Sequence, residues 1–442
     1  MPSESNGHCP GGARSGLALP ADPEPTQVAG EVRGGASDRI FARVVSELVR
    51  RSHLVTGNGI SAMLDEVVAP LGLRAEVLVV DLGQQFLSPI RPDPVEPVAV
   101  DGTLGGRAFQ QGELVAGLDE QGRRVLWVAV LDGTERVGCL RLTLGPEVVD
   151  DAVLHDRAET IAGLMGHVVM SKLVYSDHLR RLRALDGLSV AAELLWHLVP
   201  PRTFATGDVA VAALLEPHAT VAGDAYDYAA DQDGLYLGVF DGVGHDLDAG
   251  ITTSLAINVI RNARRQGVTD LAVLADTADD HLSRRSGPTR FVTAVLARLD
   301  VTTGALDYLV AGHPPPLLLR SGRMIRSLDG PLRPPLGVLS DAVPSSSPRA
   351  AASREHLEPG DRLLFYTDGI VEARDDSGGF FGEERLIDLT ERTEQSRLSA
   401  PETLRRLTAA ILDHQHGRLQ DDATLLMLDW SPTSPAGVLP GG

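Results

Sequence analysis

Five aspartates draw notice because each abuts an apolar run. Asp241 closes Leu235-Tyr-Leu-Gly-Val-Phe-Asp-Gly242, and Asp368 closes Leu363-Leu-Phe-Tyr-Thr-Asp-Gly369. Asp421 and Asp422 stand just before Ala423-Thr-Leu-Leu-Met-Leu428, and Asp224 follows Gly223 in what reads as the loop after a first strand. A carboxylate beside buried chain is costly unless something compensates it, and converging acids raise one another's pKa. A hard divalent cation removes both costs, since Mg²⁺ and Mn²⁺ prefer carboxylate, carbonyl and water oxygens. Two such ions about 3.5–4 Å apart activate a water and clamp a transferring phosphoryl group. Gly242 and Gly369 are expected to let the backbone turn sharply and bring a carbonyl towards a metal. No cysteine and no paired histidine accompanies these acids, so a structural zinc site is not expected. An Asp-Gly pair at a strand end is also a common turn, and spacing alone leaves turn and metal site both open.

The elements that must position these acids are strands broken by helices. Strands are expected at 208–215, 235–240, 291–296, 305–310, 316–319, 362–367 and 423–428, many of them apolar on both faces as in the core of a sandwich. Helices are expected at about 247–266, 270–284, 383–394 and 401–415. The pattern predicts an α/β (α+β) sandwich of two sheets flanked by helices over residues 202–430. Upstream, residues 38–148 read as a mixed α/β domain that opens with a helix from Asp38 to Arg51. Residues 149–201 read as a helical linker in which Leu154, Ala158, Ile161, Met165 and Val168 form an a/d seam. That seam suits a coiled coil in a homodimer slightly better than packing on its own domain. Pro200-Pro201 stops the helix. Residues 1–37 and 431–442, rich in Gly, Pro, Ser and Ala, read as disordered tails.

Bulk composition limits the function. The 442 residues suggest two or three domains, and 43% hydrophobic residues can build cores although aromatics make up only 4%. A formal net charge of −20 repels nucleic-acid backbones and anionic lipid. The two cysteines, Cys9 and Cys139, are not expected to pair, because Cys9 falls in the first tail. With no apolar signal core and no apolar run long enough to span a bilayer, a cytoplasmic location is the expectation.

Around the acids, residues 186–430 resemble the PPM (type-2C-like) protein phosphatases, in the bacterial branch typified by the sporulation phosphatase SpoIIE and the stress-response phosphatase RsbU. The resemblance rests on Val221-Ala-Gly-Asp-Ala-Tyr-Asp227, Val239-Phe-Asp-Gly-Val-Gly-His245, Phe291-Val-Thr-Ala294, Ala311-Gly-His-Pro-Pro315, Pro335-Leu-Gly337, Tyr366-Thr-Asp-Gly-Ile-Val-Glu372 and Asp421-Asp-Ala-Thr-Leu425, in family order. It implies a serine/threonine phosphatase with a PP2C-type sandwich and two Mn²⁺ or Mg²⁺ ions. Asp241 would bridge the metals, the Gly242 carbonyl would bind one, Asp368 and Asp421 would complete the cluster, and Asp224 would hold a metal directly or through water. Asp241 and Asp368 are the residues whose loss should abolish activity. Asp422 is the second choice beside Asp421, and His245 beside the metals reads equally as a leaving-group acid or a packing residue. His313 reads as shaping a turn. Departures are Ala222 for a usual Gly, Asp246 for a usual Gly and Pro314 for a usual Asn; none removes a proposed ligand.

The first domain resembles GAF domains through Gly105-Gly-Arg-Ala-Phe-Gln-Gln-Gly112, Val125-Leu-Trp-Val-Ala-Val130 and Val137-Gly-Cys-Leu-Arg-Leu142. Such a domain implies a small-molecule ligand or a dimer contact. The combined expectation is a sensor-phosphatase whose substrate, by family analogy, is a phosphorylated anti-sigma-factor antagonist. Two rivals are a catalytically silent scaffold or ligand sensor, and a phosphodiesterase or nuclease; the charge and the absence of a basic groove weigh against the latter.

Overall fold

The computed structural model describes residues 25–184, 189–216, 223–231, 234–244, 247–284, 291–331, 333–338, 351–396, 398–416 and 421–431. Its first helix, α1 (Pro25–Ser52), starts well before the expected Asp38. Proline suits a first helical position because its missing N–H has no intrahelical partner there. Residues 25–37 are thus helical rather than part of a disordered tail, since a glycine inside a helix, as at Gly30, Gly34 and Gly35, costs only about 1 kcal/mol relative to alanine.

Next come α2 (Ile60–Val68), β1 (Leu73–Val80), β2 (Phe86–Pro89), β3 (Val98–Ala99), α3 (Leu104–Gln111), β4 (Val115–Leu118), β5 (Arg124–Asp132) and β6 (Glu135–Leu144). The strands form one antiparallel sheet in the order β3-β2-β1-β6-β5-β4. Period-two alternation gives it two apolar faces. Val77, Val79, Val128 and Leu140 meet Leu64 of α2 on one face, while Leu78, Val80, Trp127 and Cys139 meet Phe109 of α3 on the other. The Cys139 thiol is enclosed, 3.2 Å from the Gly105 carbonyl, and burial pushes its pKa up.

The expected linker is three helices: α4 (Ala152–Leu173), α5 (Asp177–Arg183) and α6 (Val190–Leu198). Each is capped by the residue before it, as Asp151, Ser176 and Ser189 accept from the backbone N–H three residues on. The seam expectation is corrected here. Leu154, Ala158, Ile161 and Met165 are buried in the core of the first domain against its sheet, chiefly β5. A 3.6-residue apolar stripe serves a sheet as well as a second helix, and this one is already covered.

The remaining chain is a four-layer sandwich. One sheet, ordered β15-β12-β11-β10-β9, comprises β9 (Asp224–Ala230), β10 (Gly234–Gly242), β11 (Val292–Asp300), β12 (Ala305–Ala311) and β15 (Ser353–His356). The other, ordered β14-β13-β16-β17-β8-β7, comprises β7 (Thr203–Ala205), β8 (Val209–Glu216), β13 (Leu317–Arg320), β14 (Arg323–Ser327), β16 (Asp361–Tyr366) and β17 (Ala423–Trp430). Between them, Val211, Leu237, Val239, Val295, Phe365 and Leu426 interdigitate. The outer face of the first sheet packs Tyr236 and Phe240 against α6, α7 (Leu247–Arg265) and α8 (Leu271–Ser283). The outer face of the second packs Leu364, Tyr366 and Met427 under α10 (Glu383–Gln395) and α11 (Ala400–His414). A short α9 (Asp368–Val371) follows β16. Strands that are apolar on both faces are what two buried faces require, and the expected sandwich flanked by helices is the observed fold. Among the described residues, no helix is long and apolar enough to cross a membrane.

Candidate active site

The five acids flagged by the sequence come together at one end of the sandwich, where both sheets contribute. Asp241 is the penultimate residue of β10. Its antiparallel partners are Asp224 on β9 and Thr293 on β11. Asp368 arrives from the other sheet, at the start of α9 just after β16, and Asp421-Asp422 arrive just before β17. With Gly223 and Gly242 they line a cavity of about 260 Å³.

Asp224 is corrected: it opens β9 rather than lying in a loop, and it is 4% exposed. Its Oδ2 accepts from the Thr367 hydroxyl at 2.6 Å. Thr367 is itself locked, since its Oγ1 accepts from the Thr424 backbone N–H at 3.0 Å. Burial raises the Asp224 pKa well above the usual carboxylate range, and the nearby Asp241 and Asp422 charges add to the rise. Asp241 is pushed up to about 7, first by burial and then by Asp368, Asp421 and Asp422; a 3.4 Å hydrogen bond from Thr293 opposes this. Asp368 is exposed on the cavity and is raised by partial burial, then by Glu372 and Asp421.

The adjacent acids at 421 and 422 differ in setting. Asp422 is 4% exposed, and its Oδ2 accepts from the Gly223 backbone N–H at 2.7 Å. Asp421 is exposed at the cavity, with Oδ1 accepting from the Asp422 N–H.

Two glycines are required here for a reason other than the one expected. Neither Gly242 nor Gly369 has a positive φ. Instead, a Cβ on Gly369 would lie 2.0 Å from the Asp422 carbonyl, and one on Gly242 would lie 2.2 Å from the Thr253 hydroxyl. That hydroxyl donates to the Gly223 carbonyl at 2.7 Å, which ties α7 to the floor of the site.

His313 does not line this cavity. It is buried, its Nδ1 lies 2.9 Å from the Pro314 carbonyl, and burial drops its pKa to about 4. A neutral buried ring suits the expected turn-shaping part. His245, Ala222 and Asp246 lie outside the described residues. Asp227, quoted only as part of a motif, is 1% exposed and held by Arg261 and Arg264 of α7. Sequence reasoning gave no part to Thr367, Thr253 and Thr293; the place of Thr367 beside a flagged acid and of Thr293 inside a family motif were the available signals.

The donor set is all oxygen, the walls repel one another in the absence of a cation, and carboxylates and backbone share one small cavity. That chemistry fits Mg²⁺ or Mn²⁺. Among the described residues, no three His, Cys, Asp or Glu side chains are already drawn in around one ligand position.

Residues 231–431 match the family model described as Stage II sporulation protein E (SpoIIE). Protein IcfG of Synechocystis sp. is 26% identical over 243 residues, which is 48% of this chain and 37% of that protein. Phosphoserine phosphatase RsbU of Bacillus subtilis is 22% identical over 291 residues, 64% of this chain and 82% of that one. The solved RsbU and RsbW domains of a Mycobacterium tuberculosis protein align with a TM-score of 0.43 at 26% identity, over 54% of this chain and 64% of that one. The chain thus spans little more than a third of the length of IcfG.

Proposed function

We propose that the chain, whose residues 231–431 match the SpoIIE family model, is a metal-dependent protein serine/threonine phosphatase. The observation that carries this is the direct opposition of Asp241 and Asp224 on a cavity that also receives Asp368 and Asp421 from the second sheet. Four carboxylates, two of them with strongly raised pKa values, are an expensive arrangement that a pair of divalent cations would offset.

Asp224, Asp241, Asp368, Asp421 and the Gly242 carbonyl would hold two Mn²⁺ or Mg²⁺ ions. When bound, the ions supply an activated water and offset charge on the phosphoryl oxygens. The chain's own residues do the positioning. Thr367 fixes the Asp224 carboxylate, and Asp422 fixes the Gly223 backbone and so the entry to β9. The exposed Asp421 is the ligand and the buried Asp422 its support, because the Asp422 oxygen is already committed to a backbone N–H. An acid-lined cavity repels a phosphoryl group unless cations offset its charge, which fits metal-dependent hydrolysis of phosphoserine or phosphothreonine on a protein. By the family resemblance that protein is an anti-sigma-factor antagonist, and the GAF-like domain regulates the reaction.

Dephosphorylation of phosphoserine, phosphothreonine and phosphotyrosine peptides by the full chain, with Mn²⁺ and with EDTA, tests this reading. Release from the first two, abolished by EDTA, is expected. Mn²⁺-independent release, or a preference for phosphotyrosine, would overturn it. A silent ligand sensor is the second reading; it requires that Mn²⁺ not bind at the cavity.

A further inference from the structure

A second cavity, about 780 Å³, lies away from the acids at the junction of the first domain, α5, α6 and the Pro200-Pro201-Arg202 strap that enters the sandwich. Its apolar wall includes Leu173, Val174 and Trp196. Two arginines in its lining are more than nine-tenths buried: Arg183 at 7% exposed and Arg202 at 5%. A buried guanidinium is tolerated when it is paired and hydrogen-bonded. Among the described residues, the Arg183 side chain donates no hydrogen bond. Arg202 gives one N–H to the Leu82 carbonyl and stacks 5.0 Å from the Trp196 ring, yet its Nε–H is unpartnered. The indole Nε1–H of Trp196 is also buried without a partner.

The nearby acids do not fill the gap. Asp81 accepts from the Gln85 and Phe86 N–H groups, and Glu135 accepts from the Thr203 N–H. They attract Arg183 through space but leave its N–H groups unbonded. The lining holds four arginines against three acids, in a chain of net charge −20. Every unpartnered group here is a donor, so an occupant must bring acceptors and negative charge to one end and apolar surface to the other.

We propose that this cavity binds a small organic anion with an apolar body, its head on Arg183 and Arg202 and its body against Trp196, Leu173 and Val174. The occupant would touch both halves of the molecule. Leu82 of the first domain is gripped from both sides here, its N–H by the Arg183 carbonyl and its carbonyl by Arg202. The site is separate from the acid cavity and does not depend on catalysis.

Calorimetry on the full chain in EDTA, which silences the acid cavity, tests this with octyl phosphate, octanoate and neutral octanol. One equivalent of either anion should bind at least about tenfold more tightly than octanol, the scale of a buried charged contact; which anion binds better identifies the head group. Arg183→Gln should lose at least about tenfold for the anion and little for octanol. Should Arg183→Gln melt early, Val174→Trp serves instead, since Val174 is 72% exposed at the rim and a bulky residue there should block entry. No binding of either anion, or equal binding of octanol, overturns the proposal.

Discussion

Asp241 and Asp224 sit directly opposite each other on adjacent antiparallel strands, with Asp224 almost sealed from solvent. Like charges so placed repel, and both acids have raised pKa values, Asp241 to about 7. In the unfolded chain each would titrate near 3.8. The metal-free fold is therefore unpenalised below the unfolded pKa and loses stability as pH rises through the folded values. Metal-free Asp241→Asn should melt above the wild type at pH 8, and the two should converge near pH 4. Thermal denaturation in EDTA across that range checks this; a gap that widens towards low pH would contradict it.

Divalent metal should reverse the penalty. Because binding to the folded state alone stabilises by mass action, Mn²⁺ at a hundredfold excess over its dissociation constant should add about 2.7 kcal/mol for each ion bound. The Mn²⁺-induced rise in melting temperature should be larger at pH 8 than at pH 5.5, where protons compete for the same oxygens, and should be lost in Asp241→Asn.

The adjacent acids should separate cleanly. Asp422→Ala leaves the Gly223 N–H without its acceptor, a loss of about 1–3 kcal/mol. It should lower the melting temperature even in EDTA. Asp421→Asn should leave the metal-free melting temperature unchanged or raise it, and weaken Mn²⁺ binding by calorimetry. The opposite pattern would exchange their roles.

Thr367→Val removes the hydrogen bond to Asp224, together with the acceptor of the Thr424 N–H, with little change in shape. Partners that orient a ligand are worth about 10–100-fold in metal affinity or activity. The variant should need more Mn²⁺ for half-maximal turnover, with that loss partly recovered in Thr367→Ser.

Much of this was legible in the sequence, and the exceptions have physical causes. The runs at 235–240, 363–367 and 423–428 announced themselves because both faces are buried. The start of β9 did not, because Gly223-Asp224 and the buried Asp227 look polar until Thr367, Arg261 and Arg264 arrive from distant segments. Ser353-Arg-Glu-His356 is an edge strand against β12 and carries no apolar alternation. The a/d stripe of α4 was correctly read as apolar but not as to its partner, since heptad spacing does not say whether a helix or a sheet lies opposite. Gly242 and Gly369 were noticed as turns, whereas their need is for contact with Thr253 and the Asp422 carbonyl.

The central claim, that the acid cavity is a metal-dependent phosphoryl-transfer centre, is tested most directly without knowing the natural substrate. Hydrolysis of p-nitrophenyl phosphate by the full chain should rise with Mn²⁺ and vanish in EDTA. In Asp241→Asn and Asp368→Asn, both still folded by thermal melt, it should fall by at least about a hundredfold, the scale of losing transition-state charge stabilisation. Turnover in either variant equal to that of the wild type at saturating Mn²⁺ would contradict the account.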